Sequence, residues 1–465
     1  MHTTLQFHGA IDGVTGSCHQ LFNDNESILI DCGIFQGKEA RRQKNLEIDF
    51  DISNLKALVV THAHIDHIGR IPYLLAAGYK GHIYTSVPTA YLLPEQLDDA
   101  IKIGFTRNKR LVQRVIDEIE RRIIACEYKE WITISDRFRF KLYPAGHILG
   151  SAFVCVDMLQ SRDLKRGVKG NRKRVLFSGD LGAPYTPILN SPHKPCDADL
   201  LVLESTYGNR KHAGRKERRN VLLKLLKECI SDNGIVLIPS FAIGRTQELL
   251  YELNDLIESG RLQKLSVLID SPLADKFTEF YSKLNTFWDK ESKMRLARGD
   301  DPFLFPGLVS IKGHEEHQKT LERLLRSGGP AIVIAGSGMC TGGRIVDYLK
   351  NFLPEKKTDI IFIGYQASGT LGWKISNLCN KVNINDKHVI IDGHRVNVNA
   401  GVYSLGGYSA HADQDDLVRW VQRFGEKPLK ILLNHGEPDA KKKLNERLSR
   451  LGFNVAVAGK KRNIV

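Results

Sequence analysis

Three histidines and one aspartate fall within six consecutive positions, His62-Ala63-His64-Ile65-Asp66-His67, directly after the apolar run Leu58-Val59-Val60. Any fold for this chain has to place that cluster. The apolar run predicts a buried strand, and Gly69-Arg70-Ile71-Pro72-Tyr73-Leu74-Leu75 predicts a helix start, so the ligand types sit on a strand-to-helix turn. In extended backbone, side chains two positions apart share a side, which lets His62 and His64 converge on one ion. Asp66 and His67 lie past the bend and face another direction. One short peptide thus offers ligands to two metals side by side, and imidazoles with a carboxylate suit zinc. A surface cluster, or histidines satisfied by the core, is the better reading for a lone histidine but not for four potential ligands on one turn.

At 465 residues the chain exceeds the usual single-domain size, which predicts two or three domains. No apolar run approaches the roughly 18 residues of a membrane span, and Met1-His2-Thr3-Thr4 begins no signal peptide; a soluble, cytoplasmic protein is expected. The eight cysteines are scattered without CxxC spacing, as expected for reduced, mostly buried thiols, and neither disulfides nor a thiolate zinc site is expected. With 67 Lys and Arg against 53 Asp and Glu, the formal charge of +14 favours polyanionic partners. The basic run Lys165 to Arg174 reads as a solvated loop that would still steer RNA or DNA toward the surface.

Strand-like runs fill the first 160 or so residues: Thr4 to His8, Ser27 to Asp31, Leu55 to Val60, His82 to Thr85, Phe138 to Tyr143 and Ala152 to Met158, with helical periodicity from Ala90 to Ile103 and Leu111 to Ala125. Several of these strands and later ones end at a charged or ligand-type group, at Asp31, His147, Asp180 and Glu204. Strand-end loops are where a rigid scaffold gathers functional side chains, and the repetition suggests one shared site. After about Tyr207 the pattern becomes strand-helix alternation, which predicts a parallel sheet covered by helices. Near His388 short strands return, and Lys430-Ile431-Leu432-Leu433 ends at Asn434-His435-Gly436-Glu437. The simplest organisation is a discontinuous domain interrupted by an insertion, with boundaries at 1–206, 207–384 and 385–465.

Asp31, the His62 to His67 turn, His147 and Asp180 together resemble, in type, order and context, the motifs of the metallo-β-lactamase fold hydrolases. Glu204 in Leu203-Glu204-Ser205-Thr206, His411 in Ser409-Ala410-His411-Ala412-Asp413, and His435 resemble the three further motifs of the β-CASP branch, nucleases that include the pre-mRNA 3′-end endonuclease and the RNase J enzymes. The resemblance covers essentially the whole chain. It implies an α/β fold, a metallo-β-lactamase αββα sandwich with an inserted β-CASP domain of parallel sheet and flanking helices. It also implies two Zn2+ per chain, the first on His62, His64 and His147, the second on Asp66, His67 and His435, with Asp180 bridging. Asp31 would orient ligands or the attacking water from behind; by itself it reads as a strand-end turn aspartate. His411 would be the general acid, with Glu204 fixing its tautomer; without the resemblance, a locally packed histidine at a helix start is an equal reading. Asp66, Asp180 and Asp31 thereby join His411 and Glu204 in the catalytic set.

In the inserted domain, the glycine-rich Gly336 to Arg344 loop lies between a strand and a helix, where amide groups and the helix dipole attract anions, though such loops are as often plain tight turns. Given a nuclease, Ser337, Gly338 and Arg344 are expected near the substrate backbone, with Arg245 as a further candidate. His8, His19, His193, His314, His317 and His394 match no metal motif and read as structural or exposed.

Family members that act on RNA keep a histidine at the last motif, where DNA-repair relatives carry an apolar residue, so His435 favours RNA. The expected function is a zinc-dependent ribonuclease hydrolysing phosphodiester bonds of single-stranded RNA, with endonucleolytic and 5′-exonucleolytic action both open and a homodimer compatible. The competing readings are a di-zinc hydrolase of small esters or thioesters, a nuclease acting on DNA, and a non-catalytic RNA-binding subunit. The tail of about 30 residues after His435 leads to the expectation of a near-minimal nuclease core, without the extra C-terminal domain of RNase J or the N-terminal RNA-binding domains of some archaeal relatives.

Overall fold

A computed structural model describes residues 3–37, 39–41, 46–159, 172–212, 215–378, 387–459 and 461–464. Most of the basic run, at 165–171, and Cys379 lie outside them. The chain forms two compact units, Met1–Lys211 with Ala410–Val465, and His212–Ser409.

The first unit contains two seven-stranded sheets of nearly mirrored construction. In spatial order the first runs Lys461–Ile464, Thr3–Phe7, His19–Asn23, Glu26–Ile30, Leu55–Val59, His82–Ser86 and Ile123–Cys126. Its first four members pair antiparallel and the rest parallel. The second runs Val455–Val457, Lys430–Asn434, Leu200–Glu204, Lys173–Phe177, Ala152–Met158, Phe138–Pro144 and Ile132–Thr133, parallel through its first four members. Alternate apolar residues of both sheets, among them Leu5, Ile28, Val59, Phe138, Val154, Val175 and Leu432, form one buried core between them. Helices Gln414–Val421 and Pro438–Arg450 cover the far side of the second sheet through Trp420, Leu417, Leu444 and Leu448.

Register, more than composition, builds the site. Glu204 lies opposite Asn434 and Phe177 opposite Val202, while Ile30 lies opposite Val59. The carboxyl ends of neighbouring parallel strands therefore come out level, and the residues just beyond them are Asp31, Thr61, Asp180, Ser205 and His435. Parallel pairing is thus what turns distant sequence positions into neighbours.

The second unit holds an all-parallel sheet ordered Leu308–Ser310, Ser266–Asp270, Ala331–Ala335, Ile235–Pro239, Thr358–Phe362 and Gly401–Ser404. The expected boundaries at 206 and 384 move to Lys211 and Ser409. The reason is pairing: Gly401–Ser404 adds in parallel to Thr358–Phe362, and the hairpin of His388–Ile391 with His394–Asn397 contributes Val389, Ile391 and Val396 to that unit's core. The short strands near His388 therefore complete the inserted sheet before the chain returns to the first unit. Periodicity locates many elements to within a few residues, but it does not reveal helices Arg215–Ile230, Lys290–Ala297, His314–Ser327 and Pro438–Arg450 or strand His19–Asn23, and the helix expected to reach Ala125 ends at Arg122, where strand Ile123–Cys126 begins.

Candidate metal centre

The turn after Leu55–Val59 behaves as its spacing predicts. His62 and His64 extend from the strand end, a single helical turn Ile65–Ile68 begins, and Asp66 and His67 lie on that turn. The turn fits against the neighbouring loop only because residue 33 is glycine: a Cβ there would lie 1.5 Å from the Asp66 carbonyl oxygen. Three of the other ligands are set by left-handed backbone. Gly179, with φ of +52°, precedes Asp180; Gly146, at +70°, precedes His147; and His435 itself sits at +45°. Asp31 is also left-handed, at +61°. Non-glycine residues there cost on the order of 1–3 kcal/mol, strain that concentrates at functional sites.

These strand ends gather two clusters that share one carboxylate. His62, His64, His147 and Asp180 form the first; Asp66, His67, Asp180 and His435 form the second. In the first, His62 Nε2 and His147 Nε2 each lie 3.1 Å from His64 Nδ1, with Asp180 Oδ2 at 3.6 and 3.7 Å from them. In the second, His67 Nε2 is 3.3 Å from Asp180 Oδ2 and 3.7 Å from Asp66 Oδ2, and His435 Nε2 is 3.5 Å from Asp66 Oδ2. All seven residues expected as ligands are thus brought together.

The arrangement fits zinc on two observations. Ligands about 2.0–2.1 Å from a tetrahedral zinc stand about 3.3 Å from one another, close to the nitrogen separations found here. Moreover His67 Nε2, His435 Nε2 and both oxygens of Asp180 are buried yet make no hydrogen bond among the described residues. Buried polar atoms left this way carry a large desolvation cost unless a further group satisfies them. A cation held between the two clusters would do so. Burial, with His67 beside it, pushes the His62 imidazole well below its ordinary pKa, and burial takes His64 to about 4, so both are neutral ligands. Burial opposes ionisation of Asp180, but the surrounding His435, His67 and His411 hold its carboxyl well below the usual range.

Behind the ligands, hydrogen bonds decide which ring nitrogen faces the centre. Asp31 Oδ2 accepts from His67 Nδ1 at 2.7 Å, leaving Nε2 inward. Thr61 donates its hydroxyl to the same Asp31 oxygen at 2.9 Å and its amide to the other at 2.7 Å, and its Oγ1 lies 3.0 Å from His62 Nδ1. Thr206 Oγ1 lies 3.1 Å from His435 Nδ1. Neither threonine stands out in the sequence, where its only signal is a hydroxyl residue beside a strand end, at Thr61-His62 and Glu204-Ser205-Thr206. His19, read as structural or exposed, is buried and bonded to Ser17 and Asn434, which fits the structural alternative.

Next to the shared carboxylate stands the expected acid pair. His411 Nδ1 is 3.0 Å from Glu204 Oε2, and Glu204 Oε1 also accepts the Leu181 amide at 2.6 Å. A bridge between Gly182 and His411, with Ala412 N donating to Leu181 O at 2.7 Å, fixes the imidazole beside the Asp180 loop. Its Nε2 lies 3.9 Å from Asp180 Oδ2. Burial works against protonation of His411, but Glu204 and then Asp180 outweigh it and raise its pKa above the ordinary value.

In the second unit, the strands Ala331–Ala335 and Ile235–Pro239 are neighbours whose onward connections leave in opposite directions, to Thr358–Phe362 and to Ser266–Asp270. Such a switch point opens a crevice outside the strand ends. It is flanked by the 336–343 loop, with Ser337 and Gly338, and by Phe241, whose ring a Cβ on Gly338 would meet at 2.8 Å. The two arginines expected at the substrate are committed elsewhere. Arg245 is buried and paired with Glu248 at 2.7 Å, so its charge is neutralised inside the unit. Arg344 binds Asp270 at 2.6 Å and the carbonyls of Ile311 and Lys312 at 2.9 and 3.1 Å, tying down the glycine-rich loop.

Comparison with known proteins agrees in both units. The metallo-β-lactamase superfamily model matches residues 11–156, the β-CASP domain model 246–375, and the model of the Zn-dependent metallo-hydrolase RNA specificity domain 395–458. A ribonuclease of Thermus thermophilus is 35% identical over 450 residues, spanning 97% of this chain and 97% of that protein. An RNase J-like protein of Methanocaldococcus jannaschii is 30% identical over 438 residues, spanning 93% and 92% respectively. A transcription termination factor of the same organism is 30% identical over 442 residues, covering 93% of this chain and 67% of that protein. A crystal structure of a protein of unknown function from Enterococcus faecalis shares the fold, with a TM-score of 0.55 at 12% identity over 100% of both chains. With the ligand clusters and the inserted parallel sheet both in place, the chain belongs to the β-CASP family of the metallo-β-lactamase superfamily, as a metal-dependent nuclease.

Proposed function

We propose that the protein is a cytoplasmic ribonuclease that holds two zinc ions per chain and hydrolyses phosphodiester bonds of single-stranded RNA. The observation that carries this reading is the sharing of Asp180 by two ligand clusters, with the His411–Glu204 pair beside it. His62, His64 and His147 would hold one ion, Asp66, His67 and His435 the other, and Asp180 both. Zinc bound there supplies Lewis-acid chemistry, acidifying a water and neutralising charge that develops on a phosphodiester.

The protein's own groups supply the rest. Asp31 and Thr61 hold His67 and His62 in the tautomers that leave Nε2 inward. Glu204 accepts the Nδ1 proton of His411, so the opposite nitrogen can carry a proton to the departing oxygen. The amides of the 336–343 loop and the Phe241 face suit a phosphate and a stacked base, which gives Ser337 and Gly338 a place against the RNA backbone. Arg344 then supports that loop, and Arg245 serves the scaffold. Free cysteines throughout the described residues fit a reducing compartment.

Two measurements test this. Purified protein is expected to contain two zinc per chain and to cut a labelled single-stranded RNA far faster than DNA of the same sequence. Metal content well below two, or equal rates on both strands, would overturn the assignment. Comparing linear with circular RNA then separates 5′-exonucleolytic from internal cleavage.

A further inference from the structure

One exposed feature of the first unit has no part in the metal centre. Helix Val87–Gly104 starts beside that centre: Ser86 and Thr89 donate hydroxyl protons to the Gly150 carbonyl, in the turn that carries His147, at 2.5 and 2.9 Å. The helix then runs 18 residues outward, which at about 1.5 Å per residue is roughly 27 Å. It meets helix Lys109–Arg122 at a tip, residues 102–111, where every residue except Thr106 is exposed. Ile103 is 77% exposed, Phe105 43% and Leu111 41%. Phe105 stands edge-on to Tyr73, 5.3 Å between ring centres, so its position is supported from one side.

Exposed apolar side chains in such a cluster mark an interaction surface. Its charge identifies the partner. Lys102, Arg107, Lys109 and Arg110 lie within the tip and Arg114 follows, while the next acidic residue along the chain is Asp117. Lys102 is paired with Asp98 at 2.5 Å, whereas no described acidic side chain pairs with Arg107, Lys109 or Arg110. Cations that track phosphates, interleaved with an aromatic ring for a base, are the elements of single-strand binding. Resting on the RNA reading above, we propose that the helical tip at 102–111 is an accessory docking site for the same RNA strand, away from the scissile bond. It binds phosphates through Arg107, Lys109 and Arg110 and stacks a base on Phe105.

The distance sets a length rule. At the roughly 3.4 Å per nucleotide of a stacked strand, about eight nucleotides are needed to span from the centre to the tip. The zinc-loaded enzyme is compared with a K109E/R110E variant and with F105A on single-stranded RNAs of about 6 and about 25 nucleotides, lengths on either side of that span. For the long RNA, KM is expected to rise about tenfold in the charge-reversal variant, with kcat held and the salt slope of log(kcat/KM) reduced by about 1.4 for two lost phosphate contacts. F105A is expected to raise it about fivefold, as loss of one stacking platform does. The short RNA should be cut equally by all three proteins.

Unchanged KM for the long RNA in both variants overturns the docking site while leaving the nuclease reading intact. Wild-type protein that cuts neither RNA overturns the nuclease reading, and this site with it. Two other results also overturn the proposal: variants that change only the sedimentation mass make the tip a contact between copies of the chain, and variants that lose only binding to vesicles of anionic phospholipid make it a membrane contact.

Discussion

Both units bury charged clusters, and the two clusters differ in whether they are complete. In the second unit Asp270, fully buried at its strand end, accepts from His317 Nδ1, Arg344 Nη1 and Tyr348 OH, each at 2.6 Å. Both carboxylate oxygens there are met by donors of the protein. In the first unit Asp180 is nearly as buried, yet its oxygens approach His62, His67 and His147 at 3.3–3.7 Å, beyond the 2.7–2.9 Å of charge-assisted hydrogen bonds. Both units place an aspartate at or just beyond a parallel strand's carboxyl end. Burial of charge therefore does not by itself mark a site; leftover binding capacity does.

That contrast can be broken experimentally, beginning with its centre. Asp180→Ala should strip both ligand clusters, so that zinc is lost and RNA cleavage falls by about 10⁴-fold or more, over 5 kcal/mol of barrier. A variant that keeps two zinc per chain, by atomic emission, would refute the shared-ligand role. His411→Ala is expected to lower kcat by about 10²–10⁴-fold while zinc content and melting temperature stay put, the mark of a proton donor that is not a ligand. Undiminished cleavage by that variant would remove the acid from the scheme. Asp270→Ala should do the reverse of both. It leaves Arg344 and His317 without their buried partner and is expected to cost about 3–5 kcal/mol of folding stability, read as a lower denaturant midpoint, with the two zinc ions retained. Zinc loss in that variant would show that the closed cluster is not merely structural. The smallest effect is expected from Asp31→Asn, which weakens the hold on His67 and should reduce zinc affinity by about 10–100-fold; a chelator titration indistinguishable from wild type would count against its orienting role.

The sequence was most informative where chemistry is local. The ligand spacing in His62-Ala63-His64-Ile65-Asp66-His67 follows from strand and turn geometry alone, and the structure preserves it. His147, Asp180 and His435 were legible only as polar ends of apolar runs, and it took the resemblance to join them. Thr61 and Thr206 were invisible because their importance lies in which ring nitrogen they touch, a matter of tertiary contact. Arg245 and Arg344 show the opposite limit, since their ion-pair partners cannot be read from the sequence. A basic residue beside a glycine-rich loop reads as a phosphate contact, and the structure adds that each is also paired within the protein, with Glu248 and Asp270. The expected boundary at 384 and the compact unit's end at Ser409 differ because strand Gly401–Ser404 carries too little pattern to reveal which sheet it joins.

The pairing of Leu200–Glu204 with Lys430–Asn434 also bears on when the protein becomes dangerous. The first ligand cluster is complete once residue 180 has been made, but the second needs His435, and the His411–Glu204 pair needs the chain's return from its insertion. Contacts of such sequence separation form late and slowly. Until the chain has returned from its insertion, therefore, one of the two clusters still lacks His435 and Glu204 still lacks His411. The assembled centre is thus a product of the complete tertiary fold, and its arrival reports that the two halves of the first unit have paired.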